Sequence, residues 1–204
     1  MIHYTKAFQA PCGKQLEYRS LKMPCAACGR KRAGVNFSPE SLTLNQPQTT
    51  IWGPALWFIL HSAAERVGRN SLAPLQVDEI RELELFVRNF PQSLPCPNCQ
   101  KHCQEYLQSH PINWSKLRGE AGTPIIRRWF FDFHNHVNST KTPASAAFTY
   151  EEVEPKYSIV TNISEQTRIV FEQLQQALSF NWVKHDAAQR FKRHLLSLRG
   201  FLGI

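Results

Sequence analysis

The sequence has 204 residues, of which 42% are hydrophobic and 11% aromatic, and its 24 Lys and Arg against 16 Asp and Glu leave a net charge of +8. This apolar content can form a hydrophobic core and excludes an intrinsically disordered chain, and the length suits one domain with appendages or two small domains. The positive charge favours acidic partners, such as nucleic acid, an anionic surface or a phosphate-bearing cofactor, without choosing among them.

Residues 1–48 are interpreted as a flexible N-terminal arm, because they are rich in Pro, Gly, Thr and Gln and show only weak periodicity. The arm carries Cys12, Cys25 and Cys28. It begins MIHYTKAFQAPCGKQ, without the apolar segment of a secretory signal peptide. The longest apolar run, ALWFIL at 55–60, is far shorter than the ~20 residues that cross a bilayer. We therefore expect a soluble protein without membrane insertion.

Two amphipathic segments follow the arm. The first, at 49–68, has a threonine cap at Thr49 or Thr50, Pro54 in its first turn, and apolar residues at three- and four-residue steps. The second, at 76–90, ends before a proline. Its residues predicted to face inward are Val77, Ile80, Leu83 or Leu85, and Val87. Both segments are predicted to be helices.

Two further helices are predicted, one from the cysteines at 96–99 to just before Pro111, and one from Thr123–Pro124 through WFFDFHNHVN. Strand-like alternation is nearly absent from the chain. The four segments therefore predict an all-α fold, a four-helix bundle.

The C-terminal region is predicted to be a loop-like connector at 144–162 followed by amphipathic segments at about 163–179 and 182–199. The second segment has an apolar stripe made of Val183, Ala187, Phe191, Leu195 and Leu198. Basic side chains lie opposite this stripe. A packed helix with a solvated basic face is more typical of such a pattern than a helix that binds nucleic acid or a membrane.

The six cysteines include two C-x-x-C motifs, CAAC at 25–28 and CPNC at 96–99. They are too sparse for a disulfide framework, and paired motifs of this kind are typical of metal or redox sites. Cys96 lies where a helix should begin, and the helix N-terminus favours a thiolate there. In such a motif the first cysteine is usually more exposed, and the second lies deeper against the core.

The spacing alone leaves two chemistries open for Cys96 and Cys99. A zinc site would need four ligands, which His102 or Cys103 and the CAAC pair could complete. A structural disulfide across two residues closes too small a loop to stabilise much. A thioredoxin-like site needs a preceding strand, which the sequence does not show. Redox chemistry is favoured only modestly over metal binding.

The first and fourth helices carry most of the aromatic side chains, namely Trp52, Trp57, Phe58, Trp129, Phe130, Phe131 and Phe133. Taken singly, each is typical of an ordinary core residue. The same two helices also carry His61, His134, Asn135 and Asn138, and buried polar groups of this kind need partners. Together they indicate a slot for a flat aromatic cofactor, with the C-x-x-C at its edge.

Three segments in this order, WGPALWFILHSAA, PCPNCQKHCQEYL and WFFDFHNHVN, resemble the FAD-linked sulfhydryl oxidases of the Erv/Alr type over about residues 50–143. The resemblance implies a four-helix bundle with a short fifth helix, a homodimer through the first two helices, and bound FAD. It implies oxidation of protein dithiols with O2 as acceptor, giving H2O2. It divides the chain into the arm at 1–48, the FAD-binding bundle at 49–143 and a helical C-terminal extension at 144–204.

The resemblance also assigns roles to residues. Cys96 would exchange with the substrate, and Cys99 would lie next to the flavin. The residues implied to bind the cofactor are Trp52, Trp57, His61, Cys99, His102, Trp129, His134, Asn135, Val137, Asn138 and Lys141. The segment VNSTKTP is one residue shorter than the family pattern, which affects the position of Lys141.

Other departures concern the remaining cysteines. No cysteine follows Cys103 to form the family's widely spaced structural disulfide, which is compatible with a viral member. A viral member would work in the host cytoplasm or the virion, and otherwise the mitochondrial intermembrane space is expected. Cys25 and Cys28 resemble a shuttle dithiol that would relay electrons to Cys96.

The alternative to the shuttle is a zinc site of Cys12, Cys25 and Cys28, with His3 as a fourth ligand. The rival function is therefore a non-catalytic zinc-binding interaction module that uses both C-x-x-C pairs.

Overall fold

The computed structural model describes residues 46–69, 72–119, 121–141, 149–159 and 161–204. Within these ranges it contains seven α-helices and no β-strand. The helices are α1 Thr49–Ala64, α2 Gln76–Asn89, α3 Pro97–Ser109, α4 Gly122–Ser139, α5 Val153–Tyr157, α6 Ile163–Ser179 and α7 His185–Leu202. The predicted helical bundle, with a short fifth helix and a helical C-terminal segment, is confirmed. Cys12, Cys25 and Cys28 lie outside the described residues.

The helix starts follow local sequence signals, with two small differences from the prediction. Gln48, not a threonine, is the N-cap of α1, and it caps without a side-chain hydrogen bond. Helix α4 begins at Gly122, one residue before the predicted cap. A Cβ at Gly122 would lie 2.3 Å from the Leu117 carbonyl oxygen, so only glycine fits there. The Thr123 hydroxyl instead donates to the Val67 carbonyl oxygen at 2.6 Å, which ties the end of α1 to the start of α4.

The first helix lies at the centre of the fold. Helix α1 packs most extensively on α6 and also on α4, while α2 packs mainly on α7. The buried apolar side chains of all these helices form one continuous core. The rings of Phe86 on α2 and Phe191 on α7 meet at 5.4 Å between centroids. Helices α6 and α7 therefore bury the outer faces of α1 and α2 within the same chain.

The predicted inward faces are largely confirmed. The α7 stripe is buried at every predicted position: Val183, Ala187, Phe191, Leu195 and Leu198. On α2, Ile80, Leu83 and Val87 are buried, but Val77 is 56% exposed, so its predicted inward orientation is wrong. Val77 lies in the first turn of α2.

The predicted loop-like connector at 144–162 contains α5, preceded by the short 3₁₀ turn Tyr150–Glu152. Thr149 and Glu152 form a capping box that starts this turn. Val153 and Tyr157 then bury their side chains, one helical turn apart, against Phe131 of α4. Because this contact fixes α5 on the bundle, the connector prediction is wrong for residues 150–157.

A buried ion network joins three helix segments. The Arg127 guanidinium on α4 donates from Nε to Glu65 Oε1 at 2.6 Å, and Glu65 is almost fully buried at the end of α1. Arg127 Nη1 lies 2.9 Å from Glu154 Oε2 on α5. The neighbouring carboxylates hold the pKa of Arg127 above its ordinary value, against the opposing effect of burial. Losing either partner of Glu65–Arg127 would leave a buried charge uncompensated.

As to membrane association, none of the helices in the described ranges has both the length and the apolar character required to cross a bilayer.

Leu195 and Leu196 offer a matched test of how α7 packs, because they are adjacent leucines with 1% and 52% exposed side chains. We expect Leu195→Ala to lower the free energy of unfolding by about 2–5 kcal/mol, since it removes buried apolar surface and leaves a cavity. Leu196→Ala should change it by less than about 0.5 kcal/mol. Urea denaturation monitored by circular dichroism measures both. Equal losses in the two variants would contradict the packing of α7 described here.

Candidate active site

Cys96 and Cys99 form a disulfide at the start of α3. Cys96 is the N-cap residue, with an extended backbone, and Pro97 occupies the first helical position. The Cys96 sulfur accepts a hydrogen bond from the backbone N–H of Cys99 at 3.2 Å. Both cysteines are half-buried. The disulfide is therefore reachable from solvent, and its first sulfur lies at the positive end of the helix, which stabilises a thiolate.

A cavity of about 1040 Å³ opens beside this disulfide, between α1, α3, α4 and α5. Its volume lies at the upper end of the ~300–1,000 Å³ typical of ligand pockets. Cys99 lines the cavity, whereas Cys96 does not. Both cysteines are half-buried, but only the second faces the cavity. The motif predicts a difference in this direction, with the second cysteine on the inner side.

The structure places part of the predicted set on the cavity wall and part behind it. The predicted residues on the wall are Trp52, Trp57, Cys99, His102, His134, Val137 and Lys141. Those outside the lining are His61, Trp129, Asn135 and Asn138. Despite the shortened VNSTKTP segment, Lys141 still reaches the cavity, where its Nζ donates to Asn138 Oδ1 at 2.9 Å. Asn138 thereby orients a lysine that faces the cavity.

A histidine pair forms the inner layer of the site. His61 is completely buried, and its Nε2 lies 3.1 Å from Nδ1 of His134. Burial lowers the pKa of each histidine to about 3, and nearby positive charges act in the same direction. Both rings are therefore neutral at pH 7, and one nitrogen donates to the other.

Flat side chains sandwich the histidine pair. Trp57 stacks on His134, with 4.0 Å between ring centroids and 7° between planes. Tyr157 of α5 stacks on His61 at 4.5 Å and 17°. Stacking of this kind fixes ring orientation without requiring a hydrogen bond. The cavity thus has a rigid aromatic wall contributed by α1, α4 and α5.

Trp129 supports this wall from behind. Its Nε1 donates to the His110 carbonyl oxygen at 2.8 Å, and its ring contacts Phe133, which does line the cavity. Trp129 therefore does not line the cavity itself but contacts a residue that does.

Residues that the sequence patterns did not single out also line the cavity. Lys156 and Tyr157 come from α5, and Gln166 comes from α6. The segment EEVEPKY contained a signal for α5, namely Val153 and Tyr157 at helical spacing, but its short length hid it. No local pattern linked this segment to the histidines of α1 and α4.

Cys103 also borders the cavity. It is buried and is not joined to another cysteine among the described residues. Burial raises the pKa of its thiol far above the ordinary value, so it stays protonated near neutral pH. Cys103 therefore acts as a small apolar wall residue, not as a nucleophile.

Metal binding finds no geometric support in the part of the chain that the structure describes. No group of three or more His, Cys, Asp or Glu side chains there is placed to hold a metal ion. Cys96 and Cys99 are joined to each other, so neither is available as a thiolate ligand in this state. The proposed zinc ligands Cys12, Cys25 and Cys28 lie outside the described residues.

The chemistry of the cavity wall fits a flat ligand that carries acceptor atoms and negative charge. The Trp52 indole N–H is buried and lines the cavity, and among the described residues it has no hydrogen-bond acceptor. Lys141 and Lys156 add two cationic groups to the same wall. Since buried donors are normally satisfied, the unpaired indole N–H is suited to a ligand acceptor.

Comparison of the sequence with known protein families gives a match. The model of the Erv1 / Alr family matches residues 54–158, about half of the chain. The chain belongs to this family. The matched segment contains α2, α3, α4 and α5 entirely, together with most of α1.

The relatives include viral proteins. The chain is 32% identical over 89 residues to the protein named "Putative FAD-linked sulfhydryl oxidase 096R" of Invertebrate iridescent virus 3, covering 44% of this chain and 55% of the relative. It is 32% identical over 88 residues to the FAD-linked sulfhydryl oxidase of African swine fever virus (isolate Warthog/Namibia/Wart80/1980), covering 43% and 66%. The chain thus spans less than two thirds of these relatives. No solved structure matches the chain.

The neutral histidine pair makes stability dependent on pH. Below the ordinary histidine pKa of 6.5, the unfolded chain binds protons that folded His61 cannot bind until about pH 3, so stability falls with falling pH. We expect His61→Phe to reduce the slope of unfolding free energy against pH by about 1.4 kcal/mol per pH unit between about pH 6 and 4. Urea unfolding at several pH values measures this slope.

The matched control is His185→Phe, because His185 is solvent-exposed at the start of α7. This variant should keep the wild-type slope. An unchanged slope in His61→Phe would mean that His61 is protonated equally in both states.

Proposed function

We propose that this protein is an FAD-dependent sulfhydryl oxidase that forms disulfides in protein thiols, with Cys96–Cys99 as its redox-active pair. The observation that carries the proposal is the disulfide at the N-terminus of α3, whose second cysteine lines a large aromatic cavity. Membership of the Erv1 / Alr family and the names of the viral relatives support it.

The two cysteines perform unequal steps in thiol–disulfide exchange. A substrate thiolate attacks Cys96 Sγ, which forms a mixed disulfide and releases Cys99 as a thiolate. A second substrate thiolate then attacks the substrate sulfur of the mixed disulfide, which releases Cys96 and leaves the substrate oxidised. The enzyme pair gains two electrons, and the two protons come from the substrate thiols. The helix N-terminus at Cys96 stabilises the negative charge that develops there.

FAD, when bound, would take this electron pair and pass it to O2, giving H2O2, chemistry that belongs to the cofactor. The cavity residues would hold it. Trp57 and His134, which are stacked on each other, would form an aromatic wall against a flat ring system, and Trp52 offers an indole N–H to an acceptor. Lys141 and Lys156 are suited to phosphate groups, because ammonium groups bind phosphate as point charges. His61 and Trp129 would orient these residues from behind.

The other predicted parts of the molecule remain proposals. A homodimer through α1 and α2 would have to use the sides of these helices that α6 and α7 leave open, where Ile51 and Val77 expose apolar side chains. Sedimentation velocity decides between one and two chains of 23.5 kDa. The zinc-binding module has no support from the described residues or from the comparisons.

Cys99 and Cys25 allow the core reaction to be separated from the shuttle. We expect Cys99→Ser to abolish oxygen consumption with dithiothreitol, because no disulfide can form with Cys96.

Cys25→Ala should keep this small-thiol activity but slow the oxidation of a reduced protein substrate, if Cys25 and Cys28 relay electrons to Cys96. An oxygen electrode and thiol titration measure the two activities. Equal loss of both activities in Cys25→Ala would exclude the shuttle role, and a colourless, zinc-loaded wild type would exclude the oxidase.

Lys156 tests the contribution of α5 to cofactor binding. We expect Lys156→Met to weaken FAD binding about threefold to fivefold, as for loss of one solvent-accessible ion pair, and the effect should shrink at high salt. Fluorescence titration of the apoprotein with FAD gives the dissociation constant. Lys184→Met, at an exposed lysine before α7, is the control and should bind FAD like the wild type. Unchanged affinity in Lys156→Met would exclude Lys156 as a phosphate-binding group.

A further inference from the structure

The C-terminal hairpin, defined as residues 161–204, is hydrogen-bonded to the turn that leads into the Cys96–Cys99 disulfide. Ser93 Oγ lies 3.2 Å from the Ala187 carbonyl oxygen and 3.0 Å from the Asn89 carbonyl oxygen, so its one hydroxyl hydrogen is shared between these two acceptors. The Arg190 guanidinium donates from Nε to Asn89 Oδ1 at 3.1 Å. The Ser93 contact joins α7 to the turn between α2 and α3, and the Arg190 contact joins α7 to the last residue of α2.

A third contact comes from α3 itself. The side-chain amide of Gln100 donates from Nε2 to the Leu94 carbonyl oxygen at 2.8 Å and to the Trp182 carbonyl oxygen at 2.9 Å. Both amide hydrogens are therefore used, one on each side of the gap between the turn and the hairpin. The Leu94 carbonyl oxygen also accepts the backbone N–H of Cys96 at 2.7 Å. Gln100 thus connects Trp182 of the hairpin to the Leu94 carbonyl oxygen, which is the same oxygen that accepts the Cys96 N–H.

Gln100 is also close to Cys96 along the helix. The two residues are four apart, which places them on one face of α3, and Gln100 N donates to the Cys96 carbonyl oxygen at 3.0 Å. The Cys96 sulfur keeps its hydrogen bond from Cys99 N–H only while the backbone of Cys96 stays extended. Movement of the Leu94–Cys96 segment would take the sulfur away from the helix N-terminus.

We propose that Gln100 is a positioning residue that uses the C-terminal hairpin as an anchor to hold Cys96 at the N-terminus of α3. The proposal rests on the redox role proposed above for Cys96. Three hairpin residues make the contacts described above, namely Trp182, Ala187 and Arg190. All three lie beyond residue 158, where the family match ends. The hairpin therefore contributes to the reactivity of the disulfide as well as to the core.

The test compares Gln100→Met with Gln104→Met in the full chain. Methionine resembles glutamine in size and helix propensity but cannot donate, so Gln100→Met removes only the bridge. Gln104 is exposed one turn further along α3 and makes no such contact among the described residues. After reduction, alkylation of Cys96 by iodoacetamide is followed against pH, with tandem mass spectrometry to separate Cys96 from Cys99. Thermal unfolding of each variant is recorded in parallel.

We expect Gln100→Met to slow alkylation of Cys96 about threefold near neutral pH and to move its profile to higher pH, since thiolate stabilisation by the helix end is partly lost. Gln104→Met should behave like the wild type. Identical profiles for the two variants would overturn the proposal. If Gln100→Met does not fold, Gln100→Ala, which removes the same two hydrogen bonds, must show the same shift, and a wild-type profile there overturns the proposal.

This measurement needs no bound cofactor, so its outcome is independent of the proposed oxidase activity. A protein that binds no FAD but shows the alkylation shift would contradict the proposed function and leave the positioning role of Gln100 standing. A protein that binds FAD but shows no alkylation shift would contradict the positioning role of Gln100 and leave the proposed function standing.

Discussion

Burial of α1 is the constraint on which the rest of the structure depends. A helix that is apolar on nearly every side is stable only when other elements cover most of it, and α1 packs against α4, α5 and α6. Its buried residues include His61, which carries a polar ring into the core. Because α1 is central, the side chains on its different faces belong both to the core and to the cavity wall.

The central position of α1 carries a polar histidine ring into the core, and burying such a ring costs free energy unless it is neutral or paired. A buried ring can remain only if it is neutral or paired, and His61 and His134 satisfy each other in their neutral forms. Tyr157 and Trp57 then close the pair between flat faces. The same packing that fixes the two rings also forms the aromatic wall of the cavity beside them. Core stability and ligand site are therefore parts of one structure.

Sequence patterns predicted the local elements well, because helix periodicity, prolines and caps act over a few residues. Helix α3 begins where Cys96 and Pro97 indicate, and the stripe on α7 is buried as its spacing predicts. The prediction for Val77 failed because periodicity shows which face of a helix is apolar but not which residues on that face other elements cover. Helix α5 was missed because five residues carry too little periodic signal, although the resemblance implied a short fifth helix.

The sequence by itself determined the helices, the helix-start position of the Cys96–Cys99 pair and the family motifs, since each depends on residues close together in the chain. Only the tertiary structure decided which of the motif residues share a cavity. It placed Trp57 and His134 on the wall and His61 and Trp129 behind it, and it brought in Lys156 and Tyr157 from a distant segment. It also joined the C-terminal hairpin to Gln100. These relations depend on contacts between residues far apart in sequence, which no local pattern encodes.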